Sequence, residues 1–374
     1  SDPQKLSAYR ALLRQRRTLA GDRALLLVAE HTWGLDQKAA LPDDRRWDRA
    51  GLARLRATEA GRRFEASWAE QRAYVDGAAR LLAGVDAGAV ASDVPAAASV
   101  AEQARTVTAW RLGPDGQPVE PDAGWEVVGP GEHLRWPAGN GGTGGWEVGL
   151  DPVTGAVGHL VDLAVGRVLA DRAHPLGLVT YQSFDEADYE RFYAGLTPAA
   201  EDQWWARSDN TKPGIGAAGA VSGRWHPRVA GACRTTAAGR PPELVVHLAF
   251  PDLATDRLGP PPALWLSIRP TPGDQGGDPL ELRLWWDDKP AHRLPEALWC
   301  SFVLVVAEPG RWLMDKLGQP VSPLDVVRHG GRALHGVGDG GVSYEGPDGS
   351  LRLRTPDAPL VAPGRPNLLD ADPP

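Results

Sequence analysis

The apolar residues of this chain change period once, and that switch limits its architecture more than any single motif does. Over residues 1–84 they recur at helical spacing. Asp2-Pro3 offers an N-cap followed by Pro at the first helical position, and Leu6, Tyr9 and Leu13 continue the pattern. Gly21-Asp22 predicts the end of that helix and the cap of a second, which carries the apolar run 24–29 into Glu30-His31-Thr32-Trp33 and leaves through Gly34. A third amphipathic unit covers about 44–57, and in a long fourth Phe64, Trp68, Gln71, Val75, Ala79 and Leu82 share one face.

Beyond Arg105 the period is two. Residues 106–112, 146–150 and 156–163 alternate, and Asp151-Pro152-Val153-Thr154-Gly155 between the last two reads as a hairpin turn. Further strands are predicted at 178–183, 244–250, 263–269, 280–286, 298–306, 342–345 and 351–354, with one helix interrupting them at about 184–194. Serial strands without long helices between them predict antiparallel sheets packed as a sandwich. The intervening stretch, with Asp86, Gly88, Ser92, Asp93 and Pro95 among small residues, has the composition of a linker. The predicted fold is therefore α+β: an N-terminal helical bundle at 1–84, a linker at 85–104 and a large antiparallel β-sandwich domain at 105–374.

A length of 374 residues suits two or three domains with cores of their own. The 40 Lys and Arg against 48 Asp and Glu give a net charge of −8, which offers no broad basic face and argues against nucleic acid as a partner. No apolar run approaches the ~20 residues of a membrane span, and the first residues lack a signal-peptide core, so a soluble chain is expected while its compartment stays open. The single Met is Met314 and the sequence opens at Ser1, which suggests a processed or excerpted chain. Cys233 and Cys300 are too few for a disulfide framework or a zinc cluster. Fifteen Trp against 6 Tyr and 5 Phe suit both cores and sugar-stacking platforms. Neither a phosphate loop, a dinucleotide fingerprint, HExxH nor GxSxG occurs, and GNGGTGG at 139–145 lacks the Lys-Ser/Thr a phosphate loop needs.

Several stretches, taken in order, resemble a known family. HTWGLD with the preceding SDPQKLSAYRALLR, the later FEASWAEQRAYV, the hairpin DPVTGAVGHLVDL, the run YQSFDEADYERF and DDKPAHRLPEALWCSFVLVV together resemble glycoside hydrolase family 38, the alpha-mannosidases, and most closely an uncharacterised mannosidase-like branch. The resemblance implies a helical bundle and C-terminal β-domain that follow a catalytic domain of the same polypeptide, with carbohydrate as the partner. In that family the catalytic domain supplies an aspartate nucleophile, an acid/base carboxylate and most zinc ligands, and none of these can be matched here. The catalytic residues therefore stay unknown.

The resemblance assigns one metal-ligand position in this chain, His31, where the family has a bundle histidine in a segment reading HDxxxGT. Thr32 stands here in place of that Asp, and Gly34 replaces the spaced Gly-Thr. One imidazole cannot hold zinc, which takes about four ligands, so zinc is expected only with a complete catalytic domain. The other reading of His31 is a helix-end side chain satisfied by Glu30, Asp36 or a backbone carbonyl. Trp33 and Asp36 are candidates to stack on and hydrogen-bond a sugar, against a packing and a capping role respectively. Trp204-Trp205 and Trp285-Trp286 read mainly as core, since strand neighbours face opposite sides. Asp185, Glu186 and Asp188 open a predicted helix, and the remaining histidines are scattered without ligand spacing. The predicted function is the portion of a mannosidase-like hydrolase that lacks the nucleophile, inactive alone. The alternative is a carbohydrate-binding or scaffolding module without catalysis.

Overall fold

In a computed structural model, the described residues are 3–15, 18–30, 34–35, 45–83, 124–138, 144–196, 207, 211–235, 242–251, 254, 257–273, 278–286, 288–326, 334–366 and 368–369. The fold is mixed α and β, with five helices among these residues and the strands in antiparallel sheets. The chain divides into two compact units: Ser1–Gln103 with Arg191–Ala218 and Gly310–Pro374, and Ala104–Glu190 with Gly219–Pro309. The expected linker at 85–104 and the expected strand at 106–112 lie outside the described residues.

In the first unit, α1 (Pro3–Leu13), α2 (Leu19–Glu30), α3 (Arg49–Arg56) and α4 (Glu59–Leu82) follow the helical spacing of their apolar residues. Leu12, Leu25, Val28, Val75 and Ala78 form one buried cluster that joins α1, α2 and α4. Leu55 and Phe64 form a second, flanked by Leu35, Leu52 and Trp68. Asp48 and Thr58 cap α3 and α4 by accepting from the N–H groups of Gly51 and Gly61. Gly21-Asp22 does not separate the first two helices as the sequence predicts. Thr18 is the cap, its hydroxyl accepting from Gly21 N–H at 3.1 Å, so Gly21 falls in the first turn of α2. A glycine is needed there for packing, because a Cβ would lie 2.3 Å from Leu82 Cδ2 on α4.

The same unit holds the four-stranded sheet β14-β13-β16-β17, built from β13 (Trp312–Lys316), β14 (Gln319–Val321), β16 (Val342–Gly346) and β17 (Gly349–Leu353). A short pair, β15 (His335–Gly336) and β18 (Leu360–Val361), accompanies it. Met314 and Tyr344 are buried between these strands. Leu317 and Gly318 close the β13–β14 hairpin with φ of 56° and 83°, a two-residue turn that places a fully exposed Leu in the left-handed region. Arg10 of α1 and Arg14 just beyond it reach this part of the unit: Arg10 donates to the carbonyls of Thr355 and Pro356, and Arg14 to Pro356 and the Asp357 carboxylate.

The second unit contains two larger antiparallel sheets. One is five-stranded, in the order β1-β8-β9-β10-β11: β1 (Trp125–Val127), β8 (Arg228–Thr235), β9 (Leu244–Ala249), β10 (Ala263–Pro270) and β11 (Leu280–Trp286). The other is seven-stranded, with the path β12-β6-β4-β3-β2: β2 (His133–Pro137), β3 (Gly145–Leu150), β4 (Val157–Asp162), β6 (Leu176–Ser183) and β12 (Glu296–Phe302). β5 (Arg167–Ala170) pairs with β4, and β7 (Gly223–Trp225) with β6. Alternation explains the packing, since even-numbered residues of β9 and β10 (Val246, Leu248, Leu264, Leu266) join odd-numbered Val179 and Tyr181 of β6 in one buried cluster. The β3–β4 turn forms as the sequence predicts: Asp151 accepts from the N–H groups of Val153 and Thr154, and Gly155 takes φ +68°. α5 (Glu186–Leu196) opens with a reciprocal cap, Asp185 N–H to Asp188 and Asp188 N–H to Asp185, which is why those acids cluster there. No helix among the described residues is long and apolar enough to cross a membrane.

Candidate functional site

The candidates His31, Trp33 and Asp36 lie outside the described residues, and so do Trp204 and Trp205. What is described is the anchor between them, Gly34-Leu35. Gly34 has φ +66°, and a Cβ there would stand 2.8 Å from both Ser67 Oγ and Trp68 Cδ1 of α4. Leu35 N–H donates to Ser67 Oγ at 3.2 Å, and Ser67 Oγ donates in turn to the Phe64 carbonyl. Gly34 therefore combines a backbone conformation and a close approach that only glycine permits. Trp68 stands edge-on to Phe64 at 5.3 Å, and its buried Nε1 has no hydrogen-bond partner among the described residues.

A second constellation is built by the segment that carries PEALW. Glu296, at the start of β12, accepts the Tyr181 hydroxyl on Oε2 at 2.7 Å and the Lys289 ammonium on Oε1. His292 Nε2 lies 3.0 Å from Oε2. Tyr181 Oη accepts in turn from Gly259 N–H at 3.1 Å. His292 is buried against Gly259, where a Cβ would come within 1.7 Å of Nε2. Burial pushes the Glu296 carboxyl up, but His292 and Lys289 outweigh it and hold the group below its ordinary range. Ionised and accepting from Tyr181 and Lys289, it is a poor general acid at neutral pH and a strong clamp on the 288–296 segment.

The third constellation lies on β2, β3 and β4. The pairings His133↔Gly149 and Gly149↔His159 place the two histidines on either side of a residue without a side chain. Their rings stack with centroids 4.1 Å apart and planes 13° apart. A Cβ on Gly149 would be 2.5 Å from His133 Cδ2, so the stack requires this glycine. Glu147, on the same face of β3, brings Oε1 to 2.9 Å from His159 Nε2 and 3.6 Å from His133 Nδ1, while Oε2 accepts from Arg135 Nε. Arg135 first, and then His159, holds the Glu147 carboxyl below its ordinary range. These groups face away from the buried row Leu134, Val148, Leu160. The sequence expectation of scattered histidines is thus corrected for His133 and His159. Strand register brings the first pair together, and a non-helical turn brings His292 to Glu296. The glycines at 149 and 259 were the signal available in sequence.

Trp285 and Trp286 behave as strand neighbours must. Trp286 packs on the core shared by the two sheets, and Trp285 stacks on Trp265 on the opposite face, at 6.2 Å. Trp265 stacks on His247, and Trp125 joins the same face. Cys233 is buried and Cys300 exposed.

Among known families, a profile described as a domain of unknown function, DUF5054, matches residues 1–109 and 115–275. No curated protein matches the chain.

Proposed function

The chain belongs to the DUF5054 family, and from that premise we propose that it is the helical and β-sheet portion of a mannosidase-like glycoside hydrolase. In this reading the helices of 1–84 are the bundle, 85–104 the linker and 105–374 the domain whose two larger sheets form a β-sandwich. His31, Trp33 and Asp36 line one wall of a sugar site, with Trp33 stacking on the sugar and Asp36 accepting from its hydroxyls. The observation that carries the reading is the meeting of two segments in which the resemblance resides: HTWGLD is pinned at Gly34-Leu35 onto Ser67 and Trp68 of FEASWAEQRAYV. A glycine-dependent contact beside an indole N–H that has no hydrogen-bond partner among the described residues suits a segment kept for recognition.

The donor set at His31 does not make a zinc centre by itself, since one imidazole supplies a single ligand and zinc takes about four. His31 would serve as the closing ligand once a catalytic domain contributes the others. Retaining hydrolysis also requires two carboxylates about 5 Å apart, and the family's nucleophile and acid/base carboxylates have no match in this sequence. The chain alone is therefore inactive. The test compares aryl mannoside hydrolysis by the chain alone with hydrolysis by the chain joined to a mannosidase-like catalytic domain of its own polypeptide. Activity should appear only in the joined protein and be lost in His31→Ala. Turnover by the chain alone, abolished by His31→Ala, would overturn the inactivity.

A second reading, a carbohydrate-binding or scaffolding module, is favoured by Trp125, Trp265 and Trp285 on one face of the five-stranded sheet. A glycan array separates the two readings. Sugar binding by the chain alone that is lost in Trp285→Ala but kept in Trp33→Ala favours the module.

A further inference from the structure

We propose that His133, Glu147 and His159 form a zinc site on the outward face of the seven-stranded sheet. Two imidazole nitrogens and one carboxylate oxygen are the donor set that zinc takes when three protein ligands leave a fourth position for water. The three donor atoms lie within 4.8 Å of one another, with separations of 2.9 Å and 3.6 Å from Glu147 Oε1 to the two histidines. Tetrahedral bonds of about 2.0–2.2 Å put neighbouring donors roughly 3.3–3.6 Å apart, close to the separations from Glu147 Oε1, and binding requires the two stacked rings to turn so that both nitrogens point at one ion.

The scaffold argues that this cluster is built. Its members stand on three adjacent strands whose register fixes their spacing, and strand-interior Gly149, a residue that weakens a strand, sits where any side chain would displace His133. Arg135 occupies the other carboxylate oxygen, which orients Glu147 and leaves Oε1 to the ion while moderating the affinity through its charge. Side-chain exposures of 47% for His133, 30% for His159 and 15% for Glu147 leave an open side toward solvent, through which an ion can enter. Glu147 is held ionised by its neighbours and needs no deprotonation to bind. This site is independent of His31 and departs from the sequence expectation that the isolated chain holds little zinc, because register assembles these ligands while that expectation rested on spacing along the chain.

The test is a titration of chelator-stripped chain with Zn²⁺ by calorimetry, repeated in His31→Ala. One zinc per chain is expected in both. His133→Asn and His159→Asn should each weaken it by more than about 100-fold, and Gly149→Ala, which removes no ligand, by about 10-fold. Should circular dichroism show a histidine variant misfolded, Glu147→Gln decides, with the same loss expected. No saturable zinc, or zinc unaffected by these variants, overturns the site and leaves a carboxylate shared by two stacked imidazoles. Zinc lost in His31→Ala alone would overturn it too, and would place the ion at the HTWGLD segment.

Discussion

Tyr181 and Glu296 are joined by a 2.7 Å hydrogen bond that ties β6 to the first residue of β12. The tyrosine is 1% exposed and also receives Gly259 N–H, so a single hydroxyl serves a charged acceptor and a buried backbone donor. Tyr181→Phe keeps the ring and removes both bonds. A loss of about 1.5–3 kcal/mol is expected, the range for hydrogen bonds to charged groups, read from the denaturant midpoint at unchanged slope. A change under about 0.5 kcal/mol would show that the hydroxyl contributes little.

Acid should weaken the same clamp. Burial acts to raise the Glu296 carboxyl, His292 and Lys289 act to lower it, and the net direction is down. A carboxyl with a lower pKa folded than unfolded stabilises fully above the ordinary carboxylate range and loses that contribution as the pH falls through the folded value. The melting temperature of the wild type should therefore drop more steeply than that of Glu296→Gln below about pH 4.5, and the two curves should converge. Parallel curves would show that the clamp does not titrate.

The β13–β14 turn offers a stabilising change. Leu317 has φ 56° and makes its turn fully exposed, so it bears the steric cost of the left-handed region with no packing in return. Leu317→Gly or Leu317→Asn should raise stability by about 1 kcal/mol in thermal or chemical unfolding.

At Gly34 the sign reverses. A methyl group there meets Ser67 Oγ and Trp68 Cδ1 at 2.8 Å in addition to the φ +66° backbone. Gly34→Ala is expected to cost about 1–2 kcal/mol and to redshift the Trp68 fluorescence, read against a Trp68→Phe control. An unchanged spectrum and midpoint would mean that the loop detaches from α4 at no cost.

The parts of this fold legible in sequence were those whose signal is local. A 3.6-residue period in Phe64, Gln71 and Val75 marks the buried face of α4, a nearly continuous apolar run at 244–250 marks β9, and alternation in 280–284 marks β11. β2 was missed because it is five residues long and ends in Pro137, and β8 because Ala230, Gly231 and Ala232 blur its alternation. Pairing between strands leaves no periodic trace. Nothing in the spacing of His133 and His159 reveals that both stand opposite Gly149, or that 310–374 returns to the unit that contains α1. The clamp at Glu296 lay inside a segment noted for its family likeness. Its chemistry was hidden because His292 and Glu296 have a helical spacing on a stretch that is not a helix.

Arg10 and Arg14 are made more than 340 residues before the carbonyls of Thr355 and Pro356 that they hold. The helical unit thus cannot finish in order of synthesis. α1 emerges with the guanidinium groups of Arg10 and the adjoining Arg14 unmatched and waits until residues 355–356 are made, although α2 and α4 can already pack. Nascent chains arrested short of residue 355 should accordingly be cleaved at α1 by protease far faster than the released protein.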